Sequence, residues 1–264
     1  MRGSGELGLP ADVTACLFDM DGVLTDTASV HDAVWTEMFN AFLQDRVKRT
    51  GETFRRFDPE DDYARYVDGK PRAQGVRDFL TSRGITLPEG DPSDGPGMDT
   101  VHGLGNRKNE ALLQRIRENG VDVFEGSRRY LEAARAAGLR RIVVSSSSNA
   151  REVLEVTGLA RLVQGWIDGL AVERLGLRGK PAPDAFIAGA RYAGVKPRQA
   201  AVFEDAFAGV AAGRAGGFGF VVGVDRTGHA DGLRASGADI VVRDLSELLT
   251  DADVADKVEA GAQG

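Results

Sequence analysis

The chain has 264 residues, 42% hydrophobic and 28% charged, with 40 Asp and Glu against 33 Lys and Arg for a formal net charge of −7. That length holds one large domain, or a main domain carrying a smaller inserted one. The acidic balance argues against nucleic acid as principal partner but leaves room for a small anion at a locally positive site. The single cysteine, Cys16, permits no intrachain disulfide, which suits a reducing compartment; within its apolar run it reads as a small core residue. No apolar stretch is long enough to span a bilayer, and residues 1–10 lack the apolar run of a secretory signal, so no membrane partner and a cytoplasmic location are expected.

Residues 15–18 read as a short buried strand that delivers Asp19 and Asp21 to its C-terminal end, where Gly22 lets the backbone turn. Alternation along an extended segment points Asp19 and Asp21 the same way and turns Met20 back into packing. Neighbouring carboxylates repel, and a bound cation or a shared proton relieves the cost. A bare Asp-x-Asp-Gly also suits an acidic turn after an edge strand. The continuation Thr25-Asp26-Thr27 shifts the reading toward an Asp that attacks phosphorus, with a second Asp two residues on to move protons.

Residues 30–122 carry helical patterns: a stripe of Val30, Val34, Met38 and Phe42, then stretches 73–83 and 109–119, with a Gly-, Pro- and Asp-rich loop at 88–97. No strand is predicted among them. They form a helical domain inserted after the first strand, leaving a discontinuous core of 1–29 plus 123–264; an insertion at that point suits a lid over the carboxylates. In the core, helix 127–137 (ended by Gly138) leads into strand 141–145. Helices 149–157 and 183–193 follow, then strand 200–204, helix 207–215 and strands 219–224 and 239–242. The alternation predicts an α/β fold with a doubly wound parallel sheet. Ligands of such sheets bind beyond the carboxyl ends of the strands, where Asp19, Ser145 and Asp205 fall.

Three further segments join the first pair: Ser145 after its strand, Lys180 in Gly-Lys-Pro-Ala-Pro-Asp, and Glu204-Asp205. Taken singly, Ser145 reads as a helix cap, Lys180 as a loop lysine and Glu204-Asp205 as another cap. Taken together at strand ends, a hydroxyl and backbone N–H groups make an anion cradle, a lysine adds a point charge, and a second acidic pair gives an oxygen-rich site suited to Mg²⁺.

This order of motifs resembles the haloacid dehalogenase superfamily of aspartate-dependent phosphotransferases over residues 14–249. The continuation through Ala28, His31 and Trp35, the segment Val67-Asp68-Gly69-Lys70-Pro71-Arg72 and the segment Asn106-Arg107-Lys108-Asn109 resemble its β-phosphoglucomutase branch. The resemblance implies a Rossmann-like core with an inserted α-helical cap. It assigns Asp19 as nucleophile and Asp21 as acid/base, with Mg²⁺ held by Asp19, Asp21, Asp205 and Glu204, the last directly or through water. Ser145, Ser146, Asn149 and Lys180 fall to the transferring phosphate. Thr27 and His31 link Asp21 to the hinge, Arg72 grips a distal phosphate, and Lys108 and Asn109 lie by the sugar. The implied reaction interconverts β-D-glucose 1-phosphate and glucose 6-phosphate through an aspartyl phosphate, with β-glucose 1,6-bisphosphate as activating intermediate. A sugar-phosphate phosphatase using the same residues is the alternative, and a non-catalytic binding domain a third. A monomer acting on a small phosphosugar is expected.

Two departures bear on the substrate. Ser148 stands where the family loop often carries a lysine, and the cap is longer at 44–62 and 87–103. Trp35 reads mainly as cap packing, and His102 and His229 as solvated. Gly103-Leu104-Gly105 is no dinucleotide fingerprint, because no strand precedes it and Lys108 replaces the third glycine.

Overall fold

The computed structural model describes residues 4–249; the remainder of the expected core domain, 1–3 and 250–264, lies outside the described residues. Two compact units emerge. One comprises the chain up to Asp26 together with that from Asp122 onward, and the other is Thr27–Val121, against borders expected after residues 29 and 122.

The first unit is built on a parallel sheet. Its strands are β1 (Ala15–Phe18), β2 (Arg140–Val144), β3 (Gly165–Ile167), β4 (Ala200–Glu204), β5 (Phe220–Val224) and β6 (Ile240–Val242), in the order β3-β2-β1-β4-β5-β6. All four residues of β1 are fully buried, as a central strand covered on both faces requires. Phe18 pairs in register with Val143 on one side and Phe203 on the other. Asp19, Ser145 and Asp205 are therefore each the first residue beyond a neighbouring strand end. Sequence reading missed β3, which has only three residues, and the helix that follows it (Gly169–Arg174), whose start is capped by Asp168 accepting from the Ala171 N–H at 2.7 Å. It also missed the short helix Ala230–Ser236.

Each sheet face has its own core. On one, Leu17, Val144 and Val202 pack with Phe186, Ala190 and Val210 from the helices Asp184–Ala193 and Phe207–Ala215. On the other, Phe18 stacks on Phe203 with ring centroids 4.5 Å apart. Tyr130, on the helix Glu125–Ala136, meets both rings at 6.2 and 5.3 Å and donates its hydroxyl to the Leu7 carbonyl at 2.9 Å. That hydrogen bond satisfies the hydroxyl of a fully buried tyrosine.

The second unit is helical: α1 (Ala28–Thr50), a π-helical turn (Tyr63–Val67), α2 (Arg72–Ser82) and α3 (Val101–Asn119). Its core is aromatic, with Phe39 at 5.2 Å from Trp35, 5.2 Å from Phe57 and 4.1 Å from Phe79. Of the expected stripe, Val34, Met38 and Phe42 are buried. The extra segment before the π-turn is tied in by the Phe57 N–H donating to Asn40 Oδ1 at 2.8 Å and by a buried Arg83–Asp62 ion pair. Helix α3 starts eight residues earlier than expected, because the Thr100 hydroxyl caps the Gly103 N–H at 2.9 Å. Among the described residues, no helix is long and apolar enough to cross a membrane.

Phe203 joins β4 to the aromatic layer and is fully buried. Replacement Phe203→Ala is expected to destabilise the protein by about 3–5 kcal/mol in denaturant unfolding. A loss below about 1 kcal/mol, the ordinary range for uncritical sites, would contradict the core described.

Candidate active site

The site starts where β1 ends. The Asp19 N–H continues the ladder by donating to the Phe203 carbonyl at 2.9 Å. The chain then folds into a tight turn in which the Leu24 N–H, the Thr25 N–H and the Thr25 hydroxyl all converge on the Met20 carbonyl, at 2.9, 3.0 and 3.2 Å. Met20 is fully buried, as alternation predicted. Gly22 has φ of 82°, a left-handed value, and a Cβ at this position would overlap the Asp205 carboxylate. The Asp21–Gly22 backbone and the Asp205 side chain are thus in direct apposition.

Lys180 occupies the centre. Its ammonium, 1% exposed, makes ion pairs with both Asp19 and Glu204, and lies 3.4 Å from the Val144 carbonyl and 5.0 Å from the centroid of Phe186. Burial works against the ammonium, but the two carboxylates outweigh it and raise its pKa. Burial also pushes the carboxyls up, Asp19 to about 6 against the pull of Lys180 and with the charge of Asp21 adding to the rise, and Glu204 to about 7. Glu204 accepts from Lys180 on one oxygen and from the Ala206 N–H on the other at 2.9 Å. With both oxygens engaged and no exposure, Glu204 acts as the partner of Lys180.

Ser145 opens the loop after β2. Its hydroxyl donates to Asp21 Oδ2 at 3.4 Å and accepts from the Ser147 N–H at 3.0 Å; the Ser147 hydroxyl accepts from the Asn149 N–H at 3.2 Å. The loop, which includes Ser146, is braced from behind by the Ser145 N–H donating to the Ile167 carbonyl and the Gly169 N–H to that of Ser147, both at 3.0 Å. Asp19, Asp21, Ser145, Lys180, Glu204 and the apposed Asp205 therefore form one constellation within the first unit.

The remaining candidates lie in the helical unit. Thr27 is buried at the start of α1, and its carbonyl accepts from the His31 N–H at 2.8 Å. His31 Nδ1 stands 3.1 Å from the ammonium of Lys108, a buried lysine on α3 that also lies 5.1 Å from the Trp35 ring centroid. Burial, followed by the Lys108 charge, holds the His31 pKa well below its usual value, so a neutral imidazole accepts from Lys108. Trp35 thus seats a cation as well as packing. Arg72 begins α2 and donates to Asn106 Oδ1 at 3.1 Å, while Asn106 donates to the carbonyls of Pro92 and Asp94, both at 2.9 Å. Asn109 follows Lys108 on α3. Outside both groups, Cys16 is buried, with its thiol pushed up to about 12 by that burial. His102 is only 23% exposed and 3.7 Å from Glu89, so it is less solvated than expected, whereas His229 is exposed.

Asn106, in the segment the sequence singled out, ties the long 88–97 loop to Arg72. Sequence reading missed Arg226, which grips the Gly22 carbonyl at 3.1 Å. Arg226 lies two residues past the end of β5, and its place beyond a strand end was the available signal.

Among the described residues, no three His, Cys, Asp or Glu side chains form a ready metal cage. The oxygen donors at hand are hard ones, carboxylates and a peptide carbonyl, and they carry more negative charge than Lys180 neutralises. That donor set fits Mg²⁺, which keeps several of its waters and takes few protein ligands. It does not fit a softer metal held by nitrogen or sulfur.

Both raised carboxyls lose protons later in the folded than in the unfolded chain, so each contributes stability at low pH that is lost as pH rises toward about 6 and 7. Lys180→Met removes the cation they share. It is expected to destabilise the metal-free protein by about 3–5 kcal/mol at pH 8, with the deficit shrinking below pH 7 as Glu204 and then Asp19 take up protons. Urea unfolding at several pH values measures it, and a pH-independent deficit would contradict the shared-charge account.

A family model described as haloacid dehalogenase-like hydrolase matches residues 13–217. The β-phosphoglucomutase of Mycobacterium bovis is 58% identical over 246 residues, 92% of this chain and 94% of that protein. The β-phosphoglucomutase of Bacillus subtilis is 28% identical, over 89% of this chain and 91% of that one. Among solved structures, a β-phosphoglucomutase from Clostridium difficile superposes with a TM-score of 0.69 at 22% identity, covering 95% of this chain and 100% of that one, a likeness of fold. The chain belongs to the haloacid dehalogenase-like hydrolase family, in its β-phosphoglucomutase-like branch.

Proposed function

We propose that the chain is a Mg²⁺-dependent mutase interconverting β-D-glucose 1-phosphate and glucose 6-phosphate. The observation that carries the phosphoryl-transfer chemistry is the convergence of Asp19, Asp21, Ser145 and Lys180 beyond the strand ends. The 58% identity to a mutase across 92% of the chain supports isomerisation as the outcome.

In the proposed reaction, an Asp19 oxygen attacks phosphorus in line, forming an aspartyl phosphate as the bond from phosphorus to the sugar oxygen breaks. Asp21 donates a proton to that leaving oxygen and later takes one from the attacking hydroxyl. The Ser145 hydroxyl, two residues before the loop's Ser147 N–H, is placed beside Asp21 to bind a phosphoryl oxygen. Lys180 holds Asp19 in position and offsets charge on the transferring group, and Glu204 holds Lys180. Asp19, the Asp21 peptide carbonyl and Asp205 are the residues that would hold Mg²⁺; bound there, it supplies charge neutralisation to the phosphoryl oxygens. Ser146 and Asn149 are assigned to the same phosphate. In the helical unit, Arg72 is assigned the non-reacting phosphate, Lys108 and Asn109 the sugar, and Thr27 and His31 the support of Lys108. The 1,6-bisphosphate phosphorylates Asp19; the 6-hydroxyl of glucose 1-phosphate then takes that group, giving the 1,6-bisphosphate and free Asp19, and attack of Asp19 on its 1-phosphate releases glucose 6-phosphate and leaves Asp19 phosphorylated for the next round. Water attacking the aspartyl phosphate in place of the sugar would make the same site a phosphatase.

With β-glucose 1-phosphate, Mg²⁺ and a trace of the 1,6-bisphosphate, glucose 6-phosphate is expected to accumulate with little inorganic phosphate, and Asp19→Asn to abolish it. Inorganic phosphate as main product would overturn the mutase reading in favour of the phosphatase. Arg72→Ala is expected to raise the KM for glucose 1-phosphate about tenfold or more, one hydrogen bond to a charged group being worth about 1.5–3 kcal/mol. Hydrolysis of a small aryl phosphate should be unaffected; equal losses on both substrates would contradict the distal-phosphate role.

A further inference from the structure

Arg226 lies on the loop after β5, far along the chain from Asp21, yet its guanidinium reaches the turn that carries Asp21. Nε donates to the Gly22 carbonyl at 3.1 Å. Nη1 donates to the Arg243 carbonyl at 2.7 Å and to Asp244 Oδ2 at 3.1 Å, and Nη2 reaches the Ser127 hydroxyl at 3.5 Å. The flat of the guanidinium covers the Phe124 ring at 3.7 Å from its centroid. Ser127, fully buried, in turn donates to the Val23 carbonyl at 2.6 Å. Two successive carbonyls of the turn, Gly22 and Val23, are thus gripped by one connected group. Its far end is fixed by Asp244, whose other oxygen accepts from the Ser246 N–H at 2.9 Å.

Gly22 also has no slack at its Cα, because the Asp205 carboxylate fills the space a Cβ would need. Gly22, the residue after Asp21, is therefore met at its carbonyl by a stacked, multiply bonded guanidinium and at its Cα by the Asp205 carboxylate. A planar fork with fixed donor directions can impose such a spacing; a flexible ammonium cannot.

We infer that Arg226 is a positioning residue that sets the separation between the Asp21 backbone and the Asp205 carboxylate, and with it the affinity of the site for its divalent cation and the alignment of Asp21. This rests on the proposed reading of Asp21 and Asp205 as cation-holding residues. Partners of this kind, which orient ligands without touching the ion, typically change metal affinity or activity by about ten- to hundredfold when removed.

The test is calorimetric titration of the whole protein with Mg²⁺ alone, paired with kcat and KM on glucose 1-phosphate. Arg226→Ala is expected to raise the Mg²⁺ Kd and lower kcat by about tenfold or more, with the sugar-phosphate KM nearly unchanged. Arg226→Lys keeps the charge near Asp244 but loses the fork, so it should fold as the parent does and show the same direction of change. Arg234→Ala, which removes only an exposed pair with Asp231, should change neither quantity. Lysine and alanine variants with the parental Kd and kcat, or with losses matching only a fall in folded fraction, would overturn the role of Arg226. Failure of the parent protein to bind Mg²⁺ would overturn the cation reading itself, and this inference with it.

Discussion

Lys180 is the interaction on which the rest of the site depends. The parallel sheet brings the ends of β1 and β4 side by side, and each ends in an acid that is almost or wholly removed from water. Two such carboxylates would repel and lose hydration at once, a cost of several kcal/mol per ion. One ammonium between them makes the arrangement tenable, and it does so while reaching the end of β2 through the Val144 carbonyl. The same cation that lets the fold bury its acids also holds Asp19 where it can act. The compensation is incomplete, since Asp21 and Asp205 add negative charge beside a trio already holding two acids to one base. The protein therefore carries a standing electrostatic demand for a cation and for proton sharing at one end of its sheet.

Backbone economy does the rest. The turn from Met20 to Thr25 collects three donors on one carbonyl, and Gly22 adopts a left-handed conformation against Asp205. Gly209 has a comparable duty behind the site, because a Cβ there would collide with the Glu204 carboxylate. These close approaches hold the acids at short range on rigid strand ends, and positioning is most of what phosphoryl transfer asks of a protein.

The parts of this structure legible in sequence were those with a strong local signature. Short, mainly apolar runs marked β1, β2, β4, β5 and β6, and the acids, Ser145 and Lys180 stood next to such runs or in a distinctive Gly-Lys-Pro context. The three-residue β3 was invisible because Gly165-Trp166-Ile167 offers no run of β-branched residues, unlike Ile240-Val241-Val242 of the equally short β6. The early start of α3 was hidden by Gly103 and Gly105, which local propensity counts against a helix, while Thr100 capping and tertiary packing override that preference. Glu204 was recognisable as a site residue, but its engagement with Lys180 depends on a contact between separate segments. Arg226, Ser127 and Asp244 were silent for the same reason: Arg226 meets Ser127 across 99 positions of chain and Asp244 across 18.

The central claim is that Asp19 becomes phosphorylated. Acid-quenching the protein during turnover with β-glucose 1,6-bisphosphate and Mg²⁺, then mapping the peptides by mass, tests it most directly. The account predicts one acid-stable, hydroxylamine-labile phosphoryl group on the peptide bearing Asp19 and Asp21, located on Asp19 and absent from Asp19→Asn. Turnover at full rate with no phosphoryl group on that peptide, or with the group on another residue, would contradict it.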